Sequence, residues 1–232
     1  AARAAGIAAM TLRRSYNCGL LGHHAERLAG AGLIGLCFTH APASIAPVGG
    51  KVPVIGTNPF ALGVPDGRGG ARFVIDQSAS VVAKSEVLLR ARQGEPIPEG
   101  WALDAQGRPT TDAAAALKGS MVPAGGVKGF GMGLMVEVLA SAMAGAAASR
   151  DASPFSGPAG GPPATGQCFI AIDPGAFAEG FADRIEGLAT AIAGQEGARL
   201  PGQRRIEARA RTEAQGIEVD NALMERFRFQ KN

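Results

Sequence analysis

The apolar positions near the start of the chain change their spacing within a few residues. "AARAAGIA" reads as the end of a helix and "IAAMTL" as the strand that follows. In "GLLGHHAERLAGAGL", Leu20, Leu21, Ala25, Leu28 and Ala29 recur at helical spacing, and Gly30 and Gly32 end the run. "LIGLCFT", residues 33 to 39, is short, apolar and β-branched or aromatic in part, so it predicts a buried strand. The next stretch is punctuated by Pro and Gly as a loop, and "PFALGVP" and "RFVIDQSA" read as two further strands.

Helical spacing returns at "SVVAKSEVLLRARQG", an amphipathic run from Ser80 that stops at Gly94. Thr111 or Asp112 is placed to cap "AAAALKG". "FGMGLMVEVLASAMAG" is apolar nearly all round, which predicts a buried helix. Residues 147 to 166, rich in Ala, Ser, Gly and Pro, read as a long surface loop before the strand "QCFIAIDP". Phe177, Phe181, Ile185, Leu188 and Ile192 then mark the stripe of one more helix. "RIEARARTEAQGIEVDNALMERFRF" divides into two helices at Gly216, with Asp220 as the cap of the second. Strands alternating with helices place the chain in the mixed α/β class.

Composition narrows the function classes. In 232 residues, 46% are apolar and 19% charged, enough for a packed core and against wholesale disorder. The net charge of +3 comes without a dense basic run, so neither nucleic acid nor membrane is an expected partner. No apolar run reaches the ~18 residues of a membrane span. Cys18, Cys37 and Cys168 lie far apart, which suits a reducing cytoplasm rather than a disulfide framework or a zinc site. His23 and His24 are adjacent and face different sides of a helix, so no metal is predicted.

The richest segment is "GGVKGFG", where one lysine, Lys128, stands in a glycine loop ahead of the apolar helix. Glycines admit close approach of a ligand, backbone N–H groups can converge on it, and the helix offers its positive end. A phosphate or carboxylate suits such a place. The spaced glycines follow a loop rather than a strand, so this is not a Rossmann fingerprint. "IDQSAS" is a second junction of this kind. Ser78 or Ser80 is placed to cap a helix or meet a ribose or phosphate, and Asp76 to accept a hydrogen bond.

Together, "SYNCG", "GLIGLCFTHAPASIAPVGG", "GTNPFALGVP", "FVIDQSAS", "GRPTTD", "GGVKGFGMGLMVEVLA", "TGQCFIAIDP" and "LPGQRR" resemble the malate/L-lactate dehydrogenase family over nearly the whole chain. These are NAD(P)-dependent oxidoreductases distinct from the Rossmann-fold dehydrogenases, and they include Δ1-piperideine-2-carboxylate/Δ1-pyrroline-2-carboxylate reductases. The resemblance implies a large, mostly antiparallel sheet flanked by helices, a homodimer, and NADP or NAD as cofactor. It implies that residues 1–174 form an NAD(P)-binding domain. Residues 175–232 would form a helical segment packing on an N-terminal helical region that this chain lacks. The chain opens without methionine inside a helical pattern, which agrees.

Residue by residue, the resemblance implies that Ile75, Asp76, Gln77, Ser78, Ala79, Ser80 and Val81 line the dinucleotide. It gives Val127 and Lys128 the same role in the glycine loop, and Gly202, Gln203 and Arg204 in a late loop. Arg199, Arg204 and Arg205 are candidates for a 2′-phosphate, with NADH and NADPH both left open. Where the family often has Ser-x-His-Phe-Gly, this chain has Ser15-Tyr16-Asn17-Cys18-Gly19. Asn17 cannot titrate, so it cannot take a proton from an alcohol, but it can bond a substrate carboxylate or a water. Reduction of a cyclic imino acid suffers less from this change, since an iminium carbon is already electrophilic. Glu86 is then the candidate proton relay. Oxidation of a 2-hydroxy acid such as malate or lactate, and a non-catalytic cofactor-binding remnant, are the alternatives.

Overall fold

The computed structural model describes residues 1–155 and 160–228. A short helix, α1 (Ala2–Ala5), leads into β1 (Ile7–Ser15) and α2 (Leu21–Gly30). Three strands follow: β2 (Ile34–Thr39), β3 (Phe60–Pro65) and β4 (Ala71–Gln77). Next come α3 (Lys84–Gln93), β5 (Ala102–Leu103), β6 (Pro109–Thr110), α4 (Ala113–Leu117), β7 (Ser120–Met121) and α5 (Val127–Val136). A π-helical segment, Glu137–Ala142, extends α5 directly. The chain continues through β8 (Thr165–Ile172), α6 (Phe181–Ala193), α7 (Gln203–Gln215) and α8 (Asn221–Arg228).

The principal sheet has five strands in the order β1-β8-β2-β3-β4, antiparallel throughout. A three-stranded sheet, β6-β5-β7, lies beside it. The expected large antiparallel sheet flanked by helices is present. Alternation along the strands explains the layers. Cys37, Ala61 and Val74 face α2, where Leu21 and Ala25 meet them. Phe38 and Cys168 face the other way and pack on Val136 and Ala140 of the α5–π helix. Gly35 and Gly63 pair across β2 and β3. A Cβ on Gly35 would stand 2.6 Å from Leu28 Cβ, and one on Gly63 would collide with the Ala25 carbonyl, so these glycines let α2 lie close to the sheet. A third core joins the small sheet to α3 and α4 through Ile45, Ile55, Val87, Ile97, Ala102 and Met121.

Several expectations hold. Asp112 caps α4 by accepting from Ala114 N and Ala115 N, and Asp220 accepts from Ala222 N at the start of α8. Others change. The helix expected from Ser80 starts at Lys84, with Ala83 at its cap and no side-chain capping bond. Ser80 is held elsewhere, since its backbone bridges to Pro123 and its hydroxyl donates to Val82 O at 2.7 Å. Helix α5 is buried on one face only, through Gly129, Gly133 and Val136, while Met132, Leu134, Met135 and Val138 are exposed. Phe177 lies ahead of α6 and Leu188 faces solvent, so the stripe of α6 is narrower than its sequence. Residues 156–159 of the long loop, and Phe229 of the last helical pattern, lie outside the described residues. No helix of the described residues is long and apolar enough to cross a membrane.

Candidate functional site

Strand β4 is the axis of the site, because three separate segments meet along it. At its C-terminal end the chain turns into Ser78–Val81 and runs against the glycine loop. Ala124 N donates to Ala79 O at 2.8 Å, and Val81 N to Val122 O at 2.9 Å. Midway, Val74 N donates to Pro201 O at 3.2 Å. Gly202, with φ 83°, lies so close that a Cβ would stand 3.0 Å from Val74 O. The segment after β4 therefore lies against the strand leading into the glycine loop, and the middle of β4 against the turn at Pro201 and Gly202.

The glycine loop has the geometry of an anion cradle. Gly125 and Gly126 have φ of 70° and 63°, a region open mainly to glycine, with open space above both. Among the described residues, the N–H groups of Val127 and Gly129 donate to no carbonyl, and Lys128 N reaches Gly125 O only at 3.4 Å. These are the orphan donors of a helix start. The α5–π helix runs on behind them for sixteen residues, Val127 to Ala142, with its positive end at the loop. The Lys128 side chain is exposed and forms no ion pair among the described residues. Free amides, a free cation and room above the glycines fit a phosphate-bearing dinucleotide.

The base of this helix is pinned by buried polar groups that sequence reasoning passed over. Asn58, fully buried, donates from Nδ2 to Gly133 O and to Glu137 Oε2, both at 2.9 Å, and accepts from Ala41 N at 3.1 Å. The Glu137 carboxylate also accepts from Ser149 N at 2.8 Å and Ser149 Oγ at 2.5 Å. Ser149 Oγ in turn lies 3.4 Å from His40 Nδ1. Burial lowers the His40 pKa, an effect the Glu137 charge partly opposes, and His40 Nε2 is buried without a partner. A signal was there to find: Glu137 is the one charged residue in "FGMGLMVEVLASAMAG", and a carboxylate in an apolar helix needs donors.

The second part of the site is the turn after β1. Asn17 is exposed, and its Oδ1 accepts from Gly19 N at 2.6 Å. Gln167, from β8, supports the turn by donating to Tyr16 O at 3.2 Å. Cys18 is half-buried under the turn. Burial pushes its thiol pKa up, a hydrogen bond with Thr39 opposes this, and the Asp76 charge adds to the rise. Asn17, Cys18, Thr39 and Asp76 therefore share one neighbourhood, with Thr39 an addition to the sequence-derived set. His24 closes it from below, with Nε2 2.9 Å from Cys18 O and its ring edge-on to Phe169.

The remaining candidates sit as follows. Gln77 is exposed at the end of β4, and Ile75 is partly buried within it. Gln203 accepts from Leu200 N through Oε1 and donates to Glu207 through Nε2. Arg204 and Arg199 are exposed, without ion pairs among the described residues. Arg205 is turned inward and pairs through Nη2 with Asp76 Oδ2 at 3.0 Å, while its Nη1 is buried without a hydrogen-bond partner among the described residues. Glu86 pairs within α3 with Arg90 at 3.0 Å, and that guanidinium lies 5.3 Å from the centre of the Trp101 ring.

Known proteins resemble this chain in sequence and fold. A family model described as malate/L-lactate dehydrogenase matches residues 1–228. The chain is 45% identical over 227 residues to a (2R)-3-sulfolactate dehydrogenase (NADP(+)) of Chromohalobacter salexigens, covering 98% of this chain and 68% of that one. It is also 45% identical over 231 residues to a Delta(1)-pyrroline-2-carboxylate reductase of Pseudomonas fluorescens, again covering 98% and 68%. Among solved structures, the delta1-piperideine-2-carboxylate reductase from Pseudomonas syringae pvar. tomato matches with a TM-score of 0.89 and 36% identity, over 97% of this chain and 68% of that one.

Proposed function

The chain belongs to the malate/L-lactate dehydrogenase family, and from that premise we propose that it is an NAD(P)H-dependent oxidoreductase that reduces a cyclic imino acid. The substrate is Δ1-pyrroline-2-carboxylate or Δ1-piperideine-2-carboxylate, and the product proline or pipecolate. The observation that carries this reading is the meeting of Ala79–Val81 with the segment that leads into the loop of Lys128, in a chain whose turn after β1 holds Asn17, a residue with no proton to exchange. The relatives named as pyrroline- and piperideine-2-carboxylate reductases support it.

When bound, the nicotinamide supplies hydride. In this reading Lys128 and the free amide of the exposed Val127 neutralise and bond a phosphate. Ile75, Asp76, Gln77, Ser78, Ala79, Ser80 and Val81 line the dinucleotide on the strand side, and Gly202, Gln203 and Arg204 do so on the far side. Asn17 holds the substrate carboxylate or an ordered water. The imine nitrogen takes a proton, its carbon accepts the hydride, and the nitrogen keeps the proton in the amine. In sum, NAD(P)H, one proton and the imino acid give NAD(P)+ and the cyclic amino acid. Glu86 is the proposed relay for that proton, and imine turnover unchanged in Glu86→Gln would remove it from the mechanism.

The same reading includes a homodimer in a reducing cytoplasm. It is supported by the exposed Met132, Met135 and Val138 along the α5–π helix and by three free thiols. Light scattering of the full-length protein tests the dimer.

A second reading, oxidation of a 2-hydroxy acid, is favoured by the 45% identity to a sulfolactate dehydrogenase. Initial rates of the full-length protein on both cyclic imines, malate, lactate and sulfolactate, with each cofactor, separate the two. Hydroxy-acid turnover without imine reduction excludes the first. Cofactor binding without turnover on any of these substrates excludes both and leaves a non-catalytic binding protein.

A further inference from the structure

The hydroxyls of Ser78 and Ser80 form a chain that runs one way. Ser80 Oγ donates to Val82 O at 2.7 Å. A carbonyl oxygen only accepts, so the single proton of the Ser80 hydroxyl is committed there. Ser80 is 4% exposed and its backbone is bridged to Pro123, which fixes that direction.

Ser78 Oγ lies 3.0 Å from Ser80 Oγ and 3.4 Å from Ser80 O. With the Ser80 proton on Val82 O, both of these neighbours are acceptors. The Ser78 proton therefore points into the turn as well. Rotating it outward would set two sets of oxygen lone pairs against each other at 3.0 Å. What Ser78, which is only partly buried, presents on its open side is lone pairs alone. The backbone between the two serines is held from both sides. Ala79 N donates to Thr57 O at 2.8 Å, and Ala79 O accepts from Ala124 N at 2.8 Å.

We propose that Ser80 is a positioning residue that makes Ser78 an acceptor, so that Ser78 takes a neutral donor of the dinucleotide, a hydroxyl or an amide N–H, and turns away phosphate. This rests on the reading of residues 75–81 as a cofactor segment. Phosphate oxygens are anionic acceptors at neutral pH, and lone pairs facing them repel. The neutral donors of a nicotinamide dinucleotide are its ribose hydroxyls and the N–H groups of its amides. Phosphate falls instead to the loop of Lys128, where the protein supplies a cation and the Val127 amide. The Ser80 hydroxyl reaches no ligand atom in this role and acts through Ser78.

The test titrates full-length wild type, Ser78→Ala and Ser80→Ala by calorimetry. The ligands are NADPH, its reduced 3-acetylpyridine analogue, which lacks the carboxamide N–H, and analogues lacking one ribose hydroxyl. The wild type should bind the analogue without the contacting donor about fivefold more weakly than NADPH. Which analogue that is tells carboxamide from ribose. Ser78→Ala should reduce that penalty to less than about twofold. Ser80→Ala frees the Ser78 proton to point outward and should reduce the same penalty to a similar extent. Competition by inorganic pyrophosphate against NADPH should be the same in Ser78→Ala as in wild type. The proposal is overturned if no analogue loses its penalty in Ser78→Ala, or if pyrophosphate competes less well there. It is also overturned if Ser80→Ala weakens NADPH and every analogue by one common factor. Should Ser80→Ala not fold, the Ser78→Ala series decides alone. A wild type that binds neither NADPH nor NADH overturns the cofactor reading itself, whereas failure of the serine chain alone leaves wild-type binding intact.

Discussion

Asn58 and Glu137, 79 residues apart in the chain, meet in the interior, with Nδ2 donating to Oε2 at 2.9 Å. The same Asn58 amide bonds Gly133 O, just before α5 widens into its π-helical segment. One side chain therefore braces the "GTNP" turn against the helix that carries the Lys128 loop at its other end. It does so in a left-handed conformation, φ 39°, that asparagine tolerates better than most residues.

Replacing Asn58 with Ala should be costly for that reason. The change strips a donor from the Glu137 carboxylate, orphans Ala41 N and keeps the unfavourable φ. We expect a loss of roughly 2–4 kcal/mol in stability. Chemical denaturation of Asn58→Ala checks it, and Asn58→Asp should be no milder, since it sets a second carboxylate against Glu137.

The free cation at position 128 makes a separate prediction. Lys128→Met keeps most of the apolar stem and removes the charge. Cofactor affinity should fall by roughly 10- to 100-fold, the worth of a hydrogen bond to a charged group, with stability unchanged. Titration of NADPH and NADH by fluorescence reads the first, and thermal unfolding the second. Gly129→Ala should weaken cofactor binding too, but by displacing the loop, because its Cβ would strike the Ala124 carbonyl.

How far the sequence foretold this site depends on the range of the interactions. The Lys128 loop was legible because its chemistry is local: glycines, one cation and a helix start lie within a few residues. The strands of the main sheet were legible for the same reason. Asn58–Glu137 and Arg205–Asp76 were not, because their partners lie 79 and 129 residues away. Ser80 misled as a cap because a tertiary bridge to Pro123 claims it before α3 begins. The apolar circumference of α5 suggested full burial, but the sheet covers one side of it, leaving Met132 and Met135 in the open. Apolar content records what a helix tolerates and not which of its sides is covered.

His40 makes the stability depend on pH. Burial holds its pKa below the ordinary 6.5, with Glu137 opposing in part. The folded state therefore binds this proton less readily than the unfolded chain. Stability is complete above pH 6.5, falls as the pH drops below it, and finishes falling below the lowered folded value. Each unit of depression corresponds to about 1.4 kcal/mol. Thermal midpoints between pH 8 and pH 5, compared with those of His40→Gln, isolate this contribution: the variant should show the shallower slope.

Asn17 makes the most direct prediction about chemistry. Its amide has no proton to give or take at neutral pH, and Oδ1 is occupied by Gly19 N at 2.6 Å. If this residue is what disfavours alcohol oxidation, Asn17→His should raise turnover of malate, lactate or sulfolactate, by at least the 10²-fold typical of a positioned acid–base group. The new activity should climb with pH through the histidine range, because the base must be neutral to accept the alcohol proton. Imine reduction should fall by much less, since the imine nitrogen is protonated without help from this position. The two substrate classes should therefore respond in opposite directions to one substitution. Parallel loss of both would show that Asn17 holds the turn in shape and takes no part in choosing the substrate.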